Sequence, residues 1–236
     1  MKNPFLLYHK IDLPTPDVRV RGAYMPPRAF EKQIAFLRDR GFTFKTAAEI
    51  TDLKTRTGSF PEKTVALTFD DGWRDNYTNA FPILKKYRVS ATIFLVTSCI
   101  GTTSDMVTAE GEAPRRHLDP SDIREMAEFG IEFGSHTVDH VHLHQAAPDV
   151  VNRQLVDSRR IISDLTGQEC RTLAYPAGFY NSDVAAAAEA AGYTAAFTTI
   201  YGPETPDDPF QLNRVEILRR DRFLFRFGRK IRTDVG

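Results

Sequence analysis

Along this chain, short apolar runs of strand length alternate with longer segments whose apolar residues recur every three or four positions. FLLYH at 5–9 reads as a first strand. The segment PPRAFEKQIAFLRDRG then places Phe30, Ile34 and Leu37 on one helical face, with Pro27 suited to a first turn and Gly41 to the position past the end. TVALTFDDG at 64–72 predicts a buried strand running into a tight turn. Asn76 to Tyr87 sets Phe81, Leu84 and Tyr87 on one helical face despite Pro82. SATIFLV at 90–96 reads as a strand, and the polar stretch from Thr97 to Asp119 as a long surface loop. Pro120 to Phe129 predicts a helix opened by Asp119 or Ser121, and IEFGSH at 131–136 a strand that ends in a turn.

The second half repeats the alternation. Val150 to Leu165 carries Val151, Leu155, Ile162 and Leu165 near helical spacing, with Gly167 as a stop. LAYP at 173–176 is strand-like, Asp183 to Ala191 is an alanine-rich helix closed by Gly192, and YTAAFTTI at 193–200 is a strand. GPETPDDP at 202–209 is a turn-rich loop and RVEI at 214–217 the last short strand. Phe223, Leu224, Phe227 and Ile231 form the apolar side of a final helix whose arginines make a solvated face. Strand and helix alternate about seven times with no linker and no internal repeat, which favours a parallel sheet in one α/β domain over 1–236. Such a sheet is either a closed barrel or an open doubly wound array. The candidate chemistry falls at strand ends, where barrels keep their active sites, and this favours the barrel.

Composition narrows the classes. Lys plus Arg and Asp plus Glu are 31 each, so bulk positive charge does not draw this chain to nucleic acid. Two cysteines, Cys99 and Cys170, are too few for a disulfide scaffold or a multi-cysteine zinc site. No run approaches the ~18 to 20 apolar residues of a membrane span. The first apolar run stops at His9, short of the roughly 7–15 residues of a secretory signal. As written, the expectation is a soluble cytoplasmic chain, or a cell-envelope or secreted protein whose leader was removed.

Four features carry chemistry. Asp70 and Asp71 close a hydrophobic strand just before Gly72. Neighbouring strand residues point opposite ways, so a sharp turn is needed to bring both carboxylates into one cavity. A divalent cation would then favour the pair, one carboxylate ligating and the other free as a base. The alternative is a turn with an Asp helix cap. His136 and His140 in HTVDH converge if that segment turns helically, and with Asp71 they make an open His, His, Asp set suited to a catalytic metal. His142 and His144 extend the cluster or belong to a solvated loop. The YPAG turn at 175–178 fixes backbone N–H groups near a strand end, as an ordinary turn or an oxyanion donor. His9 is a satisfied strand-end residue or the acid that such a hydrolase requires.

TFDDG at 68–72, HTVDH at 136–140 and the YPAG turn together resemble the first three motifs of the polysaccharide deacetylases of carbohydrate esterase family 4. The resemblance runs from about Leu6 to Ile217. It implies a distorted (β/α) barrel that removes acetyl groups from N-acetylated sugars with a divalent metal, zinc first, with cobalt or nickel as alternatives. By that resemblance Asp70 is the catalytic base, Asp71, His136 and His140 the metal ligands, and Ala177 the backbone oxyanion donor. Three departures stand out. Ala174 occupies the place of the usual third-motif Arg. The fourth-motif Trp is not evident, the single tryptophan being Trp73. The usual C-terminal L-x-H is replaced by Leu212-Asn213-Arg214, whereas Leu7-Tyr8-His9 fits it at the opposite end. This is similar to the circularly permuted branch, with the biofilm poly-N-acetylglucosamine deacetylases, in which the acid His9 comes first. Arg214 is then either the replacement for the missing Arg as partner of Asp70 or a surface Arg on an edge strand. Trp73, Phe179 and Tyr180 are either packing residues or a stacking surface for a sugar. An amidase for a non-sugar amide or cyclic imide, or a non-catalytic sugar-binding relative, would share the scaffold.

Overall fold

The computed structural model describes residues 3–104, 106, 111–200 and 205–231. The strands, in chain order, are β1 (Phe5–Tyr8), β2 (Thr43–Phe44), β3 (Thr64–Phe69), β4 (Thr92–Leu95), β5 (Thr103–Ser104), β6 (Arg115–Arg116), β7 (Glu132–Ser135), β8 (Thr172–Ala174), β9 (Ala195–Phe197) and β10 (Val215–Glu216). Seven of them run parallel in the order β10-β1-β3-β4-β7-β8-β9, with β2 added beside β3. The two ends of that row meet through one stretch of chain. Leu212 bridges Phe197 at the end of β9, and three residues further on β10 pairs with β1, Leu6 opposite Val215. The sheet therefore curls into a distorted barrel within one α/β domain, as the sequence pattern predicts.

Around it lie α1 (Pro27–Asp39), α2 (Ala47–Thr57), α3 (Phe81–Tyr87), α4 (Pro120–Phe129), α5 (Pro148–Thr166), α6 (Ser182–Ala190) and α7 (Leu224–Ile231). The period-2 alternation of strand side chains divides the apolar residues into two cores. Leu6, Leu67, Ile93, Phe133, Leu173 and Val215 point outward under the helices. Phe5, Ala66, Phe94, Ala174, Phe197 and Leu212 fill the interior, where Ala47 and Ile50 of α2 close one end. The hydrophobic pattern leaves α2 unassigned because it buries only Ala47, Ile50 and Thr51. Its termini are locally fixed: Thr46 and Glu49 form a reciprocal capping box, and Gly58 ends the helix in a left-handed turn.

Several expectations are corrected in detail. The stretch 97–119 is not wholly irregular: β5 and β6 pair antiparallel within it, while 105 and 107–110 lie outside the described residues. Residues 202–204 of the turn-rich loop and Asp234 of the tail also lie outside them. Asn76–Ala80 is a π-helical turn that continues into α3, which accommodates Pro82 at a helix start. In the final helix Phe227 and Ile231 are buried, but Phe223 precedes the helix, is exposed and stacks on the exposed Phe225. Cys99 and Cys170 are both buried and unpaired. Among the described residues no helix is long and apolar enough to cross a membrane.

The interior leaves no slack at Gly134 on β7. A Cβ there would lie 2.5 Å from a Phe94 ring carbon and 2.6 Å from the Thr172 hydroxyl. Gly134→Ala is expected to destabilise the fold by about 1–3 kcal/mol, a fall in Tm of roughly 2–10 °C, read by thermal unfolding.

Candidate active site

The functional side chains continue the inward-facing rows past the carboxyl ends of the strands. Asp70 follows Thr68 by two residues, His136 follows Gly134, His9 follows Leu7 and Arg214 follows Leu212. They reach a hollow of about 170 Å³ lined by His9, Asp70, Asp71, His136, His140 and Ala177. Six of the seven residues to which the resemblance gives a role thus share one cavity, and Arg214 sits behind Asp70. Lys10, Glu112 and Thr199 also line it, without any motif that marks them in the sequence.

The two carboxylates enter the same hollow because the backbone reverses hand between them. Asp70 is still in the ladder, its N–H donating to the Tyr8 carbonyl at 3.1 Å. Asp71 and Gly72 then adopt left-handed φ of 72° and 70°. The positive φ favours glycine at Gly72, and a side chain there would also push the Leu95 methyl, 2.7 Å from its Cβ.

Asp70 is gripped by Arg214. Its two oxygens accept from the two terminal guanidinium nitrogens at 2.7 Å each. Arg214 is 0 % exposed, and it also donates to the Thr68 hydroxyl at 3.2 Å and the Thr198 carbonyl at 3.0 Å. Burial works to raise the Asp70 carboxyl, but the Arg214 charge overrides it and holds the group below the usual carboxylate range. Burial opposes ionisation of Asp71 as well. Its electrostatic surroundings, with His9, His140, His136 and Lys10 close by, hold that carboxyl low too.

His136 and His140 converge without a helix. Thr137 and His140 take left-handed φ of 69° and 56°, so the segment folds back as a tight loop. Gln154 of α5 fixes that loop, accepting from the backbone N–H groups of Val138 and Asp139 at 2.9 Å each. The sequence gives Gln154 only as one more polar residue on a helix. The His136 Nδ1 lies 2.7 Å from the Ala174 carbonyl, which requires an N–H there and leaves Nε2 as the free lone pair. Burial, then the neighbouring His136, lowers the pKa of His140 and favours its neutral, ligating form.

The donor set fits a divalent cation. One Asp71 oxygen lies 3.6 Å from His136 Nε2 and 3.7 Å from His140 Nε2, and ligand atoms from the three residues all lie within 4.8 Å of one another. Tetrahedral zinc with bonds near 2.0–2.1 Å sets its ligands about 3.4 Å apart. Three protein ligands leave one position open.

Ala177 lies in the YPAG turn with φ 54°. The adjoining Gly178, at φ 75°, has no room for a side chain, since a Cβ would sit 2.4 Å from the Thr199 backbone nitrogen. Three aromatic residues are sorted by the structure. Trp73 is 0 % exposed and cannot stack on a sugar. Tyr180 stacks on Tyr175 and donates to Gln211, so it is a packing residue. Phe179 is 52 % exposed, with the rings of His142 and His144 at 5.6 Å and 5.3 Å. Those two histidines do not join the cation-ligand group.

The buried ion pair yields a stability prediction. Asp70 is depressed in the folded state, so its contribution is present above the unfolded carboxylate pKa of about 3.9 and is lost as pH falls through the lower folded value. Arg214→Met leaves a buried unpaired carboxylate and is expected to cost about 3–5 kcal/mol at pH 7. Urea unfolding at pH 7 and pH 3 should show this difference narrowing at the lower pH, where Asp70 of the variant is protonated.

Comparison with known proteins follows the same lines. A family model described as polysaccharide deacetylase matches residues 57–196. YxkH of Bacillus subtilis, assigned to the polysaccharide deacetylases, is 34% identical over 217 residues, 92% of this chain and 71% of that protein. The poly-beta-1,6-N-acetyl-D-glucosamine N-deacetylase of Staphylococcus epidermidis is 31% identical over 206 residues, 83% of this chain and 68% of its own. Among solved structures, the Streptococcus pyogenes deacetylase PplD in complex with acetate superposes with a TM-score of 0.82 at 30% identity, covering 98% of this chain and 99% of that one. With the matched model spanning more than half of its length, this chain belongs to the polysaccharide deacetylase family, hydrolases of the N-acetyl amide bonds of polysaccharides.

Proposed function

We propose that this chain is a metal-dependent N-deacetylase of an amino-sugar polymer, with Asp71, His136 and His140 as the ligands and zinc as the preferred ion. One observation carries the reading: a carboxylate and two imidazole nitrogens converge to cation-binding distances, and a second carboxylate in the same hollow stays outside that set. The Staphylococcus epidermidis relative, by its name, acts on poly-beta-1,6-N-acetyl-D-glucosamine, and a polymer of N-acetylated hexosamine is the substrate class proposed here.

Bound there, a divalent cation supplies Lewis acidity that polarises an amide carbonyl and acidifies water. Asp70 takes the proton of the attacking water. Arg214 keeps that base ionised, and its two-pronged grip fixes the carboxylate plane. The N–H of Ala177 donates to the carbonyl oxygen as charge builds on it. His9, on the wall of the hollow, hands a proton to the departing amine. The left-handed backbone of Ala177, on the wall of the hollow, costs about 1–2 kcal/mol.

Acetate release from N-acetylated oligosaccharides, by stripped protein with zinc, cobalt or nickel restored, tests the reading. Asp70→Asn is expected to lower turnover by about 10²–10⁴-fold or more while zinc remains bound at one equivalent. His136→Ala is expected to lose zinc and activity together. Near-normal turnover in the first variant, or a metal-free active second variant, would sink the assignment. Hydrolysis of simple amides or cyclic imides in preference to the oligosaccharides would move the substrate class.

A further inference from the structure

We infer that Trp73 is a positioning residue of the metal centre, one that holds Asp71 so that only one carboxylate oxygen faces the cation. The inference rests on the metal-dependent reading above and adds to it a residue that touches neither cation nor substrate.

The two oxygens of Asp71 have separate partners. Oδ1 faces His136 Nε2 and His140 Nε2 at 3.6 Å and 3.7 Å. Oδ2 accepts from the Trp73 indole nitrogen at 2.8 Å. A carboxylate free to rotate can bind through both oxygens and fill a position that water or substrate needs. With Oδ2 engaged by an N–H, ligation through Oδ1 alone leaves that position open. An indole suits this task because it is a donor only and carries no charge to repel a cation.

The donor is itself immobilised. Trp73 stacks on His117, with centroids 4.2 Å apart. The Lys10 ammonium lies over the indole ring, 4.4 Å from its centroid. His117 is held in turn by the Asp71 carbonyl at 3.0 Å from Nδ1 and by the Ser104 hydroxyl at 2.7 Å from Nε2. Lys10 is anchored by Glu112 at 3.1 Å. Both the backbone and the side chain of Asp71 are thus fixed by one stack of Lys10, Trp73 and His117. A cation over the ring also draws π density from the indole and strengthens its N–H as a donor. The left-handed pair at Asp71 and Gly72 is what lets a residue two positions on reach back to Oδ2.

Trp73→Phe keeps a ring in the stack and removes only the N–H. Zinc competition against a chromophoric chelator should show its Kd raised about 10–100-fold. The variant should keep its circular dichroism spectrum and recover most of its kcat at saturating zinc. An unchanged zinc Kd in the folded variant overturns the inference. A second measurement needs no variant to fold. The chain has a single tryptophan, so the wild type gives one indole ¹⁵N–¹H resonance. That proton should exchange slowly with solvent, and the resonance should shift with one equivalent of zinc. A resonance unmoved at zinc saturation overturns the inference. Wild-type protein that binds no zinc overturns both this inference and the proposed function, whereas tight wild-type binding with an equal Kd in Trp73→Phe removes only the role of Trp73.

Discussion

Two neighbouring carboxylates share one buried hollow in this barrel, and their repulsion and lost hydration are the constraint around which the site is built. Each is relieved differently. Asp70 is neutralised from within by Arg214, a fully buried guanidinium that also donates to Thr68 and Thr198. Asp71 has no such internal cation bound to it. It faces two imidazoles, one of which is held neutral by burial, and its free oxygen points where an ion would complete the charge balance. On the proposed reading, this asymmetry separates a base from a ligand although the two residues are adjacent and chemically identical.

The barrel supplies that asymmetry through its closure. Arg214 belongs to the last stretch of chain, which bridges β9 and then joins β1. Closing the sheet carries its guanidinium across the interior to the end of β3. The same closure makes the first and last strands neighbours, so His9 reaches the site from the opposite end of the chain. Gly134 and the interior Phe94 show how little free space this arrangement keeps below the hollow.

Strain concentrates where the chemistry is. Asp71, Thr137, His140 and Ala177 all carry positive φ without being glycine, and all four lie on the strand-end loops that form the hollow. Such residues persist where the surrounding contacts over-determine them. Gln154 for the histidine loop and the stack of Lys10, Trp73 and His117 for the aspartate turn are those contacts.

The alternation of strand-length and helix-length patterns was enough to give a parallel α/β sheet, because burial on both faces of a strand and on one face of a helix leaves a local periodic trace; the strand-end placement of the motifs and the family resemblance were needed to choose the barrel. The motif residues Asp70, Asp71, His136, His140 and His9 were legible for a similar reason, since each pair or strand-end placement is a short-range feature. Helix α2 escaped because its capping box is a weaker signal than a hydrophobic stripe. Arg214 was legible only as a candidate, and Trp73 was read as a packing or sugar-stacking residue. Lys10, Glu112 and Gln154 left no trace at all. These residues matter through contacts between segments far apart in the chain, and spacing along a sequence holds no record of which ring lies over which ammonium, or which oxygen of a carboxylate is already engaged. Only the folded barrel decides that.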